Sequence, residues 1–191
     1  MEATENKIVL ETRRVRLREI HSSDLAILYH WRNTEKFRFL LHHDTNTISY
    51  AEFCEEFARD SESHRYQYLV EKKDSGEPIG FTFVNIFSET YRSCFINLFI
   101  AEPFEKKGYG VDAFVLFVLF LFQHADLKKL FVSIFDFNDH SLSCIRNSGM
   151  RELTGNVTRV DQRGNLLCFA ADDSIIPYLE RINKILAKKK P

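Results

Sequence analysis

A chain of 191 residues with 45% apolar content can bury one sizeable core, and its length fits a single domain over residues 1–191. Its 26 Lys and Arg against 27 Asp and Glu leave a net charge of -1, which argues against nucleic acid, whose binding needs clustered basic charge. The four cysteines, Cys54, Cys94, Cys144 and Cys168, are far apart with no Cys-x-x-Cys, so they point to buried thiols in a reducing compartment, not to a disulfide framework or a zinc site.

The opening Met1-Glu2-Ala3-Thr4-Glu5-Asn6-Lys7 is polar and lacks a signal peptide's apolar segment, so a cytoplasmic location is the expectation. Arg14 to Arg18 alternates as a half-buried strand does. Ser22-Ser23-Asp24 offers caps for a helix carrying Leu25, Leu28 and Tyr29, and a loop containing His42-His43-Asp44 follows. Ser49 and Glu52 form a capping-box pair ahead of a second helix with Tyr50, Phe53, Cys54 and Phe57 on one stripe. Tyr66 to Glu71 and Ile79 to Phe87 are β-rich runs joined by a turn at residues 73–78, and Cys94 to Ala101 supplies the next strand. Beyond them the pattern predicts a helix over Ala113–Gln123, a strand over Lys129–Phe137 and a helix over Asp139–Ser148. Two strands over Asn156–Ala171 surround Arg163-Gly164-Asn165, and a last helix capped by Ser174 runs into Lys188-Lys189-Lys190. The most apolar run, Ala113 to Phe122, falls well short of the ~20 residues that span a bilayer, so no membrane partner is expected.

Chemistry concentrates where Leu98-Phe99-Ile100-Ala101 gives way to Glu105-Lys106-Lys107-Gly108-Tyr109-Gly110-Val111-Asp112-Ala113. This is a strand, a glycine turn and a helix. The first helical N–H groups lack partners within the helix, carry the positive end of its dipole, and can be approached closely where glycine removes the side chain. The absence of Gly-Lys-Ser/Thr and of a third, correctly spaced glycine excludes a nucleoside triphosphate loop and a dinucleotide turn, which leaves a pyrophosphate held by backbone.

Glu105-Lys106-Lys107-Gly108-Tyr109-Gly110 resembles the Gln/Arg-x-x-Gly-x-Gly/Ala loop with which GNAT-superfamily N-acetyltransferases hold the pyrophosphate of acetyl coenzyme A. Gly-Tyr-Gly-Val-Asp-Ala is similar to the Gly-Tyr-Gly-x-Glu-Ala of the RimJ/RimL-like branch. Glu105 departs from the usual Gln or Arg, leaving Lys106 and Lys107 to offset its charge. The run from Glu11 to Trp31-Arg32-Asn33 resembles that branch's opening, and the likeness covers about residues 11–172, with 173–191 a C-terminal helix and basic tail beyond it. The resemblance implies an α/β fold with a GNAT-like mixed central sheet of about seven strands flanked by helices, the coenzyme lying where the fourth and fifth strands splay apart.

It further implies that backbone groups around Leu98, Phe99 and Ile100 contact the pantetheine and the developing oxyanion, and that Lys106, Lys107, Gly108, Tyr109, Gly110 and Val111 cradle the pyrophosphate. Asn138-Asp139-His140-Ser141 resembles the family's Asn-x-x-Ser/Ala segment, followed by Gly149-Met150 in place of Gly-Phe. Asn138 would then face the coenzyme, and it also suits the N-cap of the helix beginning at Asp139. Many members place a Tyr seven residues after this Asn as general acid; here the residue is Ile145, and Ser141 is the alternative donor, or a first-turn Ser bonded to backbone. A general base is not evident, since the strand position where polyamine-type relatives have Glu holds Phe95, and Asn97 takes no proton. Adjacent His42 and His43 lack further ligands at a recognisable spacing, so no metal is expected.

The implied activity is transfer of acetyl from acetyl-CoA to a primary amine of a small molecule or a protein N-terminus. An amino sugar on a nucleotide carrier is an alternative acceptor, and a non-catalytic acyl-CoA-binding or oligomerising module is an alternative role. Phe114, Val115, Phe117, Val118, Phe120, Leu121 and Phe122 cover more of their helix than one sheet can bury. Either the C-terminal helix, with Ile175, Ile176, Leu179, Ile182 and Leu186, or a second subunit must cover the remainder, and the expectation leans to a homodimer.

Overall fold

The structure, a computed structural model, describes residues 10–41, 46–63, 66–160 and 162–188. Among these, eight strands form one mixed sheet: β1 (Leu10–Glu11), β2 (Val15–Arg18), β3 (Gln67–Lys72), β4 (Pro78–Ser88), β5 (Ser93–Ile100), β6 (Lys129–Phe135), β7 (Arg151–Val160) and β8 (Gly164–Asp172). Their spatial order is β1-β2-β3-β4-β5-β6-β8-β7, and only the β5–β6 pair is parallel. The two-residue β1, which is too short to show a period, adds one strand to the expected number, and β7 begins at Arg151 instead of Asn156.

Six α-helices flank the sheet among the described residues: α1 (Leu25–Arg32), α2 (Glu35–Leu41), α3 (Tyr50–Ser63), α4 (Tyr109–His124), α5 (Asp139–Arg146) and α6 (Ile176–Lys188). The capping box ahead of α3 is reciprocal: Ser49 N–H donates to Glu52 Oε2 at 2.7 Å and Glu52 N–H to Ser49 Oγ at 3.3 Å. Periodicity missed α2, whose seven residues make barely two turns. It is started by Thr34, whose Oγ1 donates to Trp31 O at 2.7 Å and accepts from Phe37 N–H at 3.3 Å, and it is fixed by Phe37 packing on Phe81 and Phe99. His42, His43 and Asp44 lie outside the described residues. Into α6 the chain is capped by Asp172, not Ser174: Asp172 Oδ1 accepts from Ser174 N–H at 3.1 Å.

Two cores result. Leu28, Trp31, Phe37 and Phe53 of α1–α3 pack with Leu69, Phe99 and Ala101 on one face. On the other, α4 meets Val15, Leu17, Val70, Ile79 and Ile96 of the sheet. Every residue from Val115 to Phe122 is buried within the single chain, because Ile175, Leu179 and Leu186 around α6 cover the side of α4 that the sheet does not. The C-terminal helix therefore takes the role for which a second subunit was the favoured expectation. A homodimer loses the apolar surface that argued for it.

The decisive feature is how briefly β5 and β6 stay together. Their parallel pairing comprises Ser93↔Lys129, Cys94↔Leu130 and Phe95↔Phe131 and then stops, although β5 continues to Ile100 and β6 to Phe135. Beyond Phe95, β5 remains paired with β4 up to Gly80↔Ile100, and β6 with β8 up to Phe135↔Leu166, so a gap opens between the two halves of the sheet.

Candidate active site

Both strands bordering the gap run into helices at its wide end, β5 into α4 and β6 into α5. The first joint is a turn at Glu102–Phe104 followed by Glu105 to Gly108. Gly108 is the N-cap of α4 at φ +84°, a left-handed conformation that side chains resist, and no side chain caps the helix. The first N–H groups, those of Tyr109, Gly110 and Val111, thus begin an uncapped helix of 16 residues, and Val111 is exposed. Gly110 does not share the strain: a Cβ there would meet only Ile100 Cγ1, at 3.5 Å. Its lack of a side chain serves access to the backbone, not conformation.

Arg14, which precedes β2, lies against this turn. Its Nε and Nη2 donate to the two Asp112 carboxylate oxygens at 2.9 Å each, and its Nη1 donates to Lys107 O at 3.0 Å. Thr12 Oγ1 donates to the same carboxylate at 3.3 Å. Asp112 is fully buried, and its hydrogen bonds raise the Arg14 guanidinium further above its ordinary range. The helix's own acid is thereby neutralised from behind, and the front of the turn stays free for an anion.

The two lysines behave differently from their expected role. Both are exposed: Lys107 Nζ donates to Pro103 O at 2.8 Å and sits over the Phe104 ring, and Lys106 lies at φ +57°. Glu105, whose charge they were expected to offset, is instead ion-paired with Lys36 of α2.

On β5 the backbone alternates. Asn97 O accepts from the buried Thr82 hydroxyl at 2.7 Å, and Phe99 O faces Gly80, both toward β4. Leu98 and Ile100 therefore turn their N–H and C=O toward the gap, whereas the Phe99 side chain is buried in the α1–α3 core. Of the three strand residues expected to contact the coenzyme, Leu98 and Ile100 turn backbone groups toward the gap and Phe99 does not. Gly80 is a residue sequence reasoning passed over: a Cβ there would overlap the Phe99 carbonyl, so glycine alone allows the two strands to hold this register.

The second joint closes itself. Asn138 caps α5, its Oδ1 accepting from Ser141 N–H at 3.2 Å. The Ser141 hydroxyl, half-buried in the first turn, makes no side-chain hydrogen bond among the described residues.

On the α2 side of the gap lies a cavity of about 310 Å³, lined by Asn97 of β5, Ser133 and Phe135 of β6, Leu40 and Leu41 of α2, and Arg163 of the β7–β8 hairpin. Asn85, Phe95, Ile96 and Leu166 complete it. Leu40, Leu41, Ser133 and Arg163 were not singled out by the sequence, since strand divergence and hairpin packing bring them together. Another cavity, about 380 Å³, lies at the opposite end of β6 around Lys129, Arg151 and Asp172 and includes no residue of either joint. The cysteines are unpaired; burial pushes the Cys94 thiol up to about 12, and those of Cys144 and Cys168 upward. None of these three is an activated nucleophile.

A sheet that forks beside an uncapped, glycine-started helix has the form expected of a transferase that takes its acyl group from coenzyme A. Residues 14–151 match the family model described as acetyltransferase (GNAT) domain, and the chain belongs to that family, whose acyl donor is acetyl-CoA. No curated protein matches the sequence significantly. Among solved structures, the fold is similar to Vibrio cholerae spermidine N-acetyltransferase in complex with CoA and spermine, at TM-score 0.75 and 16% identity over 85% of this chain and 98% of that one. It is similar to Mycobacterium smegmatis RimJ in complex with CoA-disulfide, at 0.74 and 16% over 93% of each chain. It also resembles FdhC, a nucleotide-linked sugar GNAT, at 0.75 and 15% over 96% and 99%. No helix among the described residues is long and apolar enough to cross a membrane.

Proposed function

We propose that this chain, as one domain over residues 1–191, transfers acetyl from acetyl-CoA to a primary amine held in the cavity beside the β5–β6 fork. One observation carries the reading: the only parallel pair of the sheet separates after Phe95, next to a helix whose first turn is uncapped and begins with a left-handed glycine. A Cβ at Gly108 would come within 3.0 Å of Arg14 Nη2, so glycine lets the guanidinium close on the back of the turn, and the uncapped first N–H groups on the other side fit a phosphate. Gly108, Tyr109, Gly110 and Val111 hold the pyrophosphate through backbone N–H groups, with exposed Lys106 adding charge. Leu98 and Ile100 hold the extended arm and direct an N–H at the thioester oxygen, where negative charge develops.

In the reaction the amine nitrogen bonds to the carbonyl carbon, the carbon–sulfur bond breaks, and the nitrogen's proton passes to water, from which the Ser141 hydroxyl is reprotonated after its donation. Ser141 Oγ, one turn into α5, donates a proton to the departing sulfur. A thiol of pKa ~8.5 leaves readily near neutral pH, so this donation accelerates the step modestly. Asn138 holds Ser141 through the cap and acts as a positioning residue. Four free cysteines and a thioester substrate suit the cytoplasm.

Titration calorimetry with acetyl-CoA, followed by thiol release over an amine panel, tests the reading. Micromolar binding and amine-dependent release are expected; binding without release on any amine would make the chain a coenzyme-binding module, and no binding would remove the site.

A further inference from the structure

We infer that Lys36 of α2 is a positioning residue for the coenzyme: by pairing with Glu105 it neutralises a carboxylate beside the phosphate turn and so makes that turn receptive to an anion. The inference rests on the acetyl-transfer reading and concerns the coenzyme half of the same site.

Two carboxylates bracket the glycines at close range, Glu105 three residues before Gly108 and Asp112 two residues after Gly110. Left bare, each would oppose the negative charge that the uncapped N–H groups attract. The fold answers each with a cation from a distant part of the chain. Arg14 binds both oxygens of Asp112 at 2.9 Å, beside the core into which α4 packs. Lys36 Nζ pairs with Glu105 Oε1, coming from the helices on the opposite face of the sheet. The two ion pairs therefore reach the turn from its two sides.

Lys36 is held where this contact forms. The next residue, Phe37, packs on Phe81 and Phe99 with ring centroids 5.6 and 5.0 Å away, and Phe39 packs on Phe137 at 5.6 Å, so the seven-residue helix is pinned on both flanks. Lys36 and Leu40, four positions apart, share the side of α2 that faces the fork: Lys36 meets the coenzyme turn and Leu40 lines the cavity. The ammonium also feels Lys106 and Glu102. Burial lowers its pKa from the ordinary lysine range, Lys106 acts in the same direction, and Glu102 opposes them. An anion arriving at the turn relieves the mutual repulsion of the two lysines.

Charge balance separates this role from two others. If Lys36 acts by cancelling Glu105, its removal harms binding only while Glu105 remains. A lysine that touched the phosphate itself would be missed with or without Glu105, and a lysine that only fastened α2 would be missed no more than its partner. The side chains of the pair are 37% and 26% exposed, so the effect is moderate and depends on salt.

The test is titration calorimetry of the full chain with acetyl-CoA at low salt. Lys36→Ala should raise Kd about tenfold, Glu105→Ala should leave it within about twofold, and the two together should return it to within about threefold of wild type. Lys36→Arg, which keeps the charge, should also stay within about threefold. In about 0.5 M salt, where exposed charges are screened, the Lys36→Ala penalty should fall to about twofold. Melting temperatures within a few degrees of wild type are the control; were Lys36→Ala to unfold, Lys36→Gln, which keeps most of the length without the charge, carries the same expectations. Unchanged affinity in Lys36→Ala, a loss in Glu105→Ala as large as in Lys36→Ala, or a double variant as weak as Lys36→Ala would overturn the inference. Failure of the wild-type chain to bind acetyl-CoA would instead remove the functional reading beneath it.

Discussion

The joints β5–α4 and β6–α5 share a topology, a strand leaving the same end of the sheet and feeding a helix, yet they treat their helix N-termini in opposite ways. At α5 the side chain of Asn138 satisfies the Ser141 N–H. At α4 the N-cap is a glycine with no side chain, and the acid of the first turn, Asp112, is turned inward onto Arg14. A helix end that the protein caps for itself is structural, and one it leaves bare while anchoring it from behind is prepared for a ligand. The difference is detectable from hydrogen bonds alone.

The largest effect is expected from removing the anchor. Asp112→Ala leaves the partly exposed Arg14 without its bidentate partner, and should cost about 1.5–3 kcal/mol of unfolding free energy together with acetyl-CoA binding. Urea denaturation and calorimetry measure both, and a variant that is stable and still binds would show that the pair does not anchor the turn.

Gly108→Val should abolish coenzyme binding with a smaller loss of stability, since it forces a β-branched residue to φ +84° against Arg14. Gly110→Ala separates two causes: with an ordinary contact at 3.5 Å the fold has room for it, so any loss of affinity there reports phosphate approach alone. Equal melting temperatures for wild type and Gly110→Ala are the expected control.

At the other joint, Asn138→Ala should cost about 1 kcal/mol, the ordinary value of a lost cap, and shift coenzyme affinity only a few-fold. If Asn138→Ala lost binding as completely as Gly108→Val, the contrast between the joints would be wrong. Ser141→Ala should lower turnover without changing coenzyme affinity, more strongly below the thiol pKa of ~8.5 than above it. Wild-type turnover at every pH would leave Ser141 a helix-end residue.

The smallest effect concerns the root of the fork, where Cys94 sits opposite Leu130. Burial raises this thiol to about 12 in the folded chain, above its unfolded value of ~8.5. The unfolded state therefore loses its proton first, and the stability associated with the neutral thiol, complete below pH ~8.5, declines as pH rises toward 12. Cys94→Ala lowers stability overall through the cavity it leaves, but should flatten the alkaline slope measured by denaturation between pH 8 and 10. An unchanged slope would mean that other groups set it.

Local signals were legible wherever a period or a cap lay within a few residues. The Ser49–Glu52 box, the strict alternation ending at Arg18 and the glycine joint all appear in the structure at or within a few residues of where the sequence puts them. The helix α2 escaped because seven residues show too little periodicity, though Thr34 before Glu35 was a capping signal. Gly80 was readable as an interior strand glycine, a recognised mark of close backbone approach. Arg163 and Ser133 could not be assigned to one cavity, because nothing in their spacing records that β5 and β6 part. The assignment of Lys107 to the phosphate rested on charge and proximity in sequence, and the folded loop spends that lysine on Pro103 O.

The bond between Arg14 and Asp112 spans 98 positions of the chain. It requires the N-terminal strand region and α4 both to be in place on the sheet, so the anchor of the turn depends on a non-local contact. Without that contact the Asp112 carboxylate would stand unpaired beside Gly108-Tyr109-Gly110, its negative charge opposing an anion there. The proposed capacity to bind therefore belongs to the closed fold, and the loop transplanted alone is expected to lack it.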